Sequence, residues 1–234
     1  MMEGIIKQGL EQLGLSGAAA PQLAEYGRLL LEKNQVMNLT AITEPEQVAR
    51  LHMLDCAALL GCAQLEDETL IDVGTGAGFP GLVLKILVPS LRLTLLDSQE
   101  KRLAWLEQVC AQLGITGVSF VHARAEEQAH DPAFRGAFRL ATARAVAAMS
   151  TLCELCLPYL EPGGRFLAMK SVESDEEVAR AAAAIEKLGG RPAGQYDYLI
   201  PGTQVRHRVV LVEKTGPTLA QFPRRWAKIQ KSPL

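Results

Sequence analysis

The densest run of chemically suggestive residues is Asp72-Val73-Gly74-Thr75-Gly76-Ala77-Gly78-Phe79-Pro80-Gly81. It follows the apolar string TLIDV and leads into a stretch with helical character, which places it at a strand-to-helix junction. Glycines at 74, 76 and 78 let the backbone turn sharply and approach a ligand closely, and amides at a helix start point outward. That is the layout of a nucleotide-type cofactor loop. Gly76, Gly78 and Gly81 also satisfy the GxGxxG dinucleotide pattern, with Asp97 about 20 residues on as the acid for a ribose hydroxyl. A nucleoside triphosphate loop is excluded, because no Gly-Lys-Ser or Gly-Lys-Thr follows. A tight turn with no ligand is the bland alternative.

Three features favour S-adenosylmethionine over a nicotinamide dinucleotide. Asp72 ahead of Gly74-x-Gly76-x-Gly78 suits a single nucleoside with a charged amino-acid tail, its carboxylate near the tail's ammonium group. Pro80 stands where a pyrophosphate-binding helix start wants a free amide, and proline has none. Asp97 ends the second apolar run with acceptors for two ribose hydroxyls, and Ala125-Glu126 ends the third where an adenine edge would lie. Arg144, after the fourth run, completes the ring of strand ends at which open parallel sheets bind ligands.

The elements that must hold these residues are legible in outline. From Thr69, short apolar runs (TLIDVG, LRLTLLDS, VSFVHAR, FRLATARAV, RFLAMKS, RVVLVEK) alternate with helical stretches, which implies an α/β fold with a mostly parallel sheet covered on both faces. The last run is reached through the polar segment AGQYDYLIPGTQ without a clear helix, so it is expected antiparallel at an edge. Residues 1–68 read as a helical extension, with Thr43, Pro45 and Glu46 as a capping box. Ser174 with Glu177 is expected to cap the helix after the fifth strand, and Gly189-Gly190 to end it.

With 234 residues, 48% hydrophobic and 21% charged, the chain suffices for one large domain with an appendage. No run approaches the ~18 apolar residues of a membrane span, so a soluble, cytoplasmic monomer is expected. Five cysteines give no disulfide framework, and Cys153-x-x-Cys156 on an apolar helix face reads as core rather than as a metal or redox pair; no metal is expected. His52 and Asp55, one helical turn apart, read as a hydrogen-bonded structural pair facing the glycine loop. Net charge is only −2, but its distribution is uneven. Residues 1–68 carry 4 basic and 10 acidic groups, and residues 191–234 carry 8 and 2. The end, FPRRWAKIQKSPL, interleaves Arg224, Arg225, Lys228 and Lys231 with Phe222 and Trp226, a pattern suited to phosphates and exposed bases. A solvated tail is the alternative.

The strings NLTAIT (38–43), HMLDC (52–56), DVGTGAGFPG (72–81), LLDSQEKR (95–102), ARAEE (123–127), ARAV (143–146) and FPRRWAKIQKSPL (222–234) together closely resemble the RsmG (GidB) family of bacterial 16S rRNA guanine-N7 methyltransferases. The resemblance implies a class I (Rossmann-like) methyltransferase with a mostly parallel seven-stranded sheet flanked by helices and a helical N-terminal extension. It divides the chain into that extension (1–68), an S-adenosylmethionine-binding core (69–216) and a basic RNA-contacting tail (217–234). It implies cofactor contacts at Gly74, Phe79, Ala125, Glu126 and Arg144, with Asp97 added on the general methyltransferase pattern. The implied partner is 16S rRNA or a small-subunit ribosomal particle.

Guanine N7 presents an in-plane lone pair, so methylating it requires alignment rather than a general base. The chain has no Asn-Pro-Pro-aromatic or Asp-Pro-Pro-aromatic run for an exocyclic amine and no Pro-Cys nucleophile for cytosine C5. Arg144 is therefore expected to orient the guanine, with Arg102, Lys170 and Arg206 guiding the RNA backbone. A nicotinamide-dependent oxidoreductase and a catalytically silent RNA-binding assembly factor remain as alternatives.

Overall fold

The computed structural model describes residues 1–144 and 147–234. The ARAV string therefore falls partly outside the described residues, at 145 and 146. Two N-terminal helices, α1 (Met2–Gln12) and α2 (Ala20–Met37), precede a broken helical stretch. That stretch comprises α3 (Pro45–Val48), a wide π-helical segment (Ala49–Leu54), α4 (Asp55–Ala57) and a 3-10 turn (Ala58–Gly61). Strand and helix then alternate through β1 (Thr69–Val73), α5 (Gly81–Leu87), β2 (Arg92–Asp97), α6 (Glu100–Gln112), β3 (Val118–His122), α7 (Ala125–Gln128) and β4 (Phe138–Arg144). The chain continues with α8 (Met149–Cys156), β5 (Leu160–Ser171), α9 (Asp175–Arg180), α10 (Ala182–Lys187), β6 (Gly190–Leu199), β7 (Arg206–Lys214) and α11 (Trp226–Lys231).

The seven strands form one sheet in the order β3-β2-β1-β4-β5-β7-β6. β1 to β5 are parallel, and β7 runs antiparallel to both β5 and β6. The strand order reverses direction between β1 and β4, so the C-terminal ends of those strands flank the crevice where open α/β sheets bind ligands.

Alternation along the strands sends successive side chains to two separate cores. Leu70, Leu167, Met169 and Val209 pack into one core with Ile6 and Leu10 of α1, Leu23 and Leu30 of α2, and the inner faces of α5 and α6. Ile71, Phe166, Ala168 and Val210 pack into the other with Leu152 and Cys153 of α8, Ile185 of α10, and Phe222 and Ile229 of the C-terminal segment. Residues 1–68 thus share a continuous core with one face of the sheet. Cys153 and Cys156 are buried and unbridged.

Three local expectations are corrected. The strand RVVLVEK is antiparallel but interior, because the polar segment before it is itself the edge strand β6. An edge strand with one face in water needs little apolar content, which hides it from a reading based on apolar runs. Thr43 is not a helix cap: Pro45 takes the first helical position, its preferred place, which leaves Glu44 as the N-cap. Ser174 is the N-cap of α9, but its side chain makes no capping bond. The Glu177 carboxylate that should complete the box instead accepts Lys170 Nζ at 2.7 Å and the Met149 amide at 2.5 Å. A charge-assisted bond outcompetes the reciprocal cap.

Candidate functional site

A cavity of about 450 Å³ opens at the C-terminal ends of β1, β2 and β4. Gly74 and Gly76 of the loop after β1 form one wall, with φ of 72° and 58°, left-handed values that glycine adopts without strain. Phe79, Asp97, Ala125, Glu126 and Arg144 also line it. These seven sequence-predicted residues therefore meet in one place. Gly78 (φ 87°) lies behind the wall.

Asp72 is not on the wall. It is fully buried, and its carboxylate accepts the Thr75 hydroxyl at 2.6 Å, the Gly81 amide at 3.0 Å and the Thr142 hydroxyl at 3.1 Å. Burial raises its pKa, against those donors. Asp72 clamps the two ends of the glycine loop and has no open side for a cofactor's ammonium group.

Asp97 does face the cavity. Its two oxygens accept the Gly76 and Gln99 amides at 2.8 Å each, and the Arg102 guanidinium stands 3.7 Å away. A carboxylate has about four lone-pair sites, so acceptor capacity remains for a ribose diol. Tyr159 fixes the Ala125 carbonyl from the far side at 2.7 Å. Tyr26, on α2, donates its hydroxyl to the Ala77 carbonyl and packs 5.4 Å from the Phe79 ring, so the N-terminal helices brace the loop directly.

The loop's amides decide between the two cofactor readings. Gly74 and Thr75 donate to the Leu96 carbonyl, Gly76 to Asp97, Gly78 and Phe79 to the Thr75 carbonyl, and Gly81 to Asp72. Pro80 has no N–H. The Ala77 amide is left without an acceptor among the described residues, so most of the cradle of free amides that a pyrophosphate needs at a helix start is spent inside the protein. What the cavity offers instead is a carboxylate, a second buried acid at Glu126, and apolar and aromatic walls. This donor and acceptor set fits a nucleoside bearing an amino-acid tail.

Arg144 is held from three sides. It donates to Asp55 Oδ2 at 3.2 Å, to the Leu51 carbonyl at 3.3 Å and to His52 Nδ1 at 3.0 Å, and its guanidinium carbon lies 4.9 Å from the Phe79 ring centre. His52 stacks on Phe79 at 4.5 Å and meets the Thr40 hydroxyl through Nε2 at 2.8 Å. Arg144 as donor fixes the proton on Nε2, so both ring nitrogens are engaged. Burial, then the Arg144 charge, lowers the His52 pKa to about 4. Asp55 takes two further donors, Tyr198 and His207, at 2.8 Å each, and the hydrogen bond to Asp55 raises the His207 pKa. His52 and Asp55 thus do pair structurally, but through Arg144 rather than with each other.

The basic residues proposed for RNA fall into two groups. Arg206, Arg225, Lys228 and Lys231 are exposed. Arg224 is bound through Nε and Nη2 to Glu154, which is fully buried, at 2.8 and 2.6 Å. Lys170 is paired with Glu177, and Arg102 turns toward Asp97 in the cofactor cavity. The C-terminal segment is docked rather than trailing: Arg135 donates to the Phe222, Thr218 and Leu219 carbonyls, and Trp226 reaches the cofactor cavity. Trp226, Thr40, Leu39, Leu155 and the exposed Arg124 line that cavity without having been singled out as cofactor residues. Thr40 and Leu39, inside NLTAIT, Arg124, inside ARAEE, and Trp226, inside FPRRWAKIQKSPL, carried a signal; Leu155 did not.

The sheet order, the paired glycine loop and the acid at the end of β2 together define a class I, Rossmann-like methyltransferase. A predicted O-methyltransferase from Agrobacterium tumefaciens shares that fold, with a TM-score of 0.54 and 18% identity over 72% of this chain and 83% of its own. The model of the family described as rRNA small subunit methyltransferase G (GidB) matches residues 19–195, and the chain belongs to that family. It is 41% identical to ribosomal RNA small subunit methyltransferase G of Alkaliphilus metalliredigens, over 98% of both chains. Identity to the protein of the same name from Dehalococcoides mccartyi (strain CBDB1) is 42%, over 97% of both chains.

Proposed function

We propose that this chain methylates N7 of a guanine in small-subunit ribosomal RNA. The methyl donor is S-adenosylmethionine, which when bound supplies a sulfonium methyl for in-line transfer to a lone pair. The substrate class follows from the relatives named rRNA small subunit methyltransferase G. The observation that carries the atom is the state of the groups around Arg144. His52 is neutral with both nitrogens engaged, and Asp55 is filled by three donors, so neither is poised to take a proton. A site without a base suits an acceptor that has no proton to lose, and guanine N7 is one.

The residues then act by positioning. Asp97 holds the ribose diol, Glu126 and the Ala125 backbone take the adenine edge, and Gly74, Gly76 and Phe79 bound the amino-acid tail. Arg144, immobilised by Asp55 and His52, presents its remaining N–H groups to the acceptor base. Arg206, Arg225, Lys228 and Lys231, with Arg124, supply the exposed cations for the RNA backbone. The test is transfer of a labelled methyl group to undermethylated small-subunit particles, followed by mapping of the labelled base. Cofactor binding without incorporation favours a silent RNA-binding factor instead.

A further inference from the structure

The cofactor cavity adjoins a second hollow of about 660 Å³, and Arg124, Glu126 and Trp226 stand in the wall of both. The overlap fixes the end of the cofactor cavity to which Trp226 belongs. It is the end at the start of α7, with Glu126, whereas Gly74 and Asp97 line the cofactor cavity alone.

Trp226 is held there from both directions along the chain. Before it, Arg224 binds the fully buried Glu154 through its amide and guanidinium at 2.6 to 2.9 Å, and the Pro223 carbonyl meets His130 Nε2 at 2.8 Å. After it, Ile229 of the same helix is fully buried in the sheet core. The indole packs on that core beside Ala125 and stays partly open on the cavity. An aromatic plate anchored in this way has a fixed surface to offer a flat ligand.

Glu126 gives an independent sign of what that ligand presents. The residue is 7% exposed and opens on the cavity, and its carboxylate accepts no hydrogen bond from the side chains or amides of the described residues. A buried carboxylate without donors is costly, so the group that fills this corner should carry N–H. The 6-amino group of adenine carries two, on a ring whose faces are apolar. An RNA base entering here instead would bring its phosphate past Glu126 and Glu127, which both line the outer hollow.

We infer that Trp226 supplies a face of the adenine subsite of the methyl donor, so that the segment bearing the exposed Arg225, Lys228 and Lys231 also completes the cofactor cavity. The inference rests on the S-adenosylmethionine reading above. It gives Trp226 to the cofactor, although its place among those cations suits an exposed RNA base.

The test uses S-adenosylhomocysteine, without RNA and without turnover. Trp226→Ala is expected to raise its dissociation constant roughly 10- to 100-fold by calorimetry, the range of one stacked base. Trp226→Phe keeps a ring and should stay within about threefold of the wild type. In the saturated wild-type complex, NMR should show nuclear Overhauser contacts from the Trp226 indole protons to adenine H2 or H8, which a merely structural role would not produce. If Trp226→Ala fails to fold, those contacts and the Trp226→Phe affinity decide. Unchanged affinity in Trp226→Ala, or indole contacts to the amino-acid tail alone or to no part of the ligand, overturns the inference and returns Trp226 to the RNA path. A wild-type chain that does not bind S-adenosylhomocysteine overturns the cofactor reading and the inference with it.

Discussion

The Asp55 carboxylate and the Arg144 guanidinium lie 3.2 Å apart, contributed by α4 and by the end of β4, with 2% and 17% of their side chains exposed. The pair joins the N-terminal helices to the sheet beside the cavity that Arg144 lines. Removing one member of a buried pair leaves the other charge uncompensated, typically at about 3 to 5 kcal/mol. Asp55→Asn is therefore expected to destabilise the chain by about 3 kcal/mol in urea denaturation and to lower kcat, because Arg144 loses its anchor. An unchanged denaturation midpoint would mean that the pair contributes nothing.

Two histidines on this network should titrate in opposite directions. His52 is held near 4 by burial and then by the Arg144 charge, against about 6.5 in an unfolded chain. Its contribution to stability is complete above about pH 6.5 and is lost as the pH falls toward 4. The hydrogen bond to Asp55 raises the His207 pKa above 6.5. Its contribution is complete below about 6.5 and is lost as the pH rises through that elevated value. An NMR titration of the imidazole resonances should show His52 neutral down to about pH 4, and His207 above 6.5 in the wild type and lower in Asp55→Asn. A His52 titration near 6.5 contradicts the packing described here.

Asp72, next to last in β1, and Asp97, last in the adjacent β2, look alike as sequence, yet they should fail differently. Asp97→Ala removes a carboxylate from the cofactor wall, and the dissociation constant for S-adenosylmethionine is expected to rise roughly 10- to 100-fold by calorimetry. Asp72→Ala strips three donors of their acceptor inside the protein, so the main loss should be in thermal stability. The reverse pattern would place Asp72 on the ligand.

The C-terminal cations should also divide. Arg224→Ala leaves the fully buried Glu154 without its partner and should cost about 3 kcal/mol of stability. Changing Arg225, Lys228 and Lys231 together to Ala should leave stability and cofactor affinity intact and weaken RNA binding. Each lost phosphate contact should reduce the slope of log affinity against log salt by about 0.7 on single strands. An unaltered salt slope would remove the tail from the RNA path.

Much of this site could be read from the sequence because its parts are local. A glycine loop at 74–78 with an acid at the end of the next strand is visible as residue types at fixed spacing, and parallel strands announce themselves as apolar runs. What escaped depends on packing. Asp72 reads as a ligand until its three buried donors are seen. Trp226 and Thr40 reach the cavity from opposite ends of the chain, and Tyr26 braces the loop from a helix fifty-one positions away in sequence. Strand β6 is polar because it is an edge, and Glu177 left its expected cap for a lysine on a neighbouring strand.

The central claim is methyl transfer to a guanine N7 in small-subunit ribosomal RNA. Its most direct test is incubation of the wild-type chain with labelled S-adenosylmethionine and undermethylated small-subunit particles, with the label mapped to base and atom. A single labelled guanine carrying the methyl at N7, with labelling reduced in Asp97→Ala at limiting S-adenosylmethionine, is the expected result. Label on another atom, or no label in particles to which the loaded chain binds, would contradict the account.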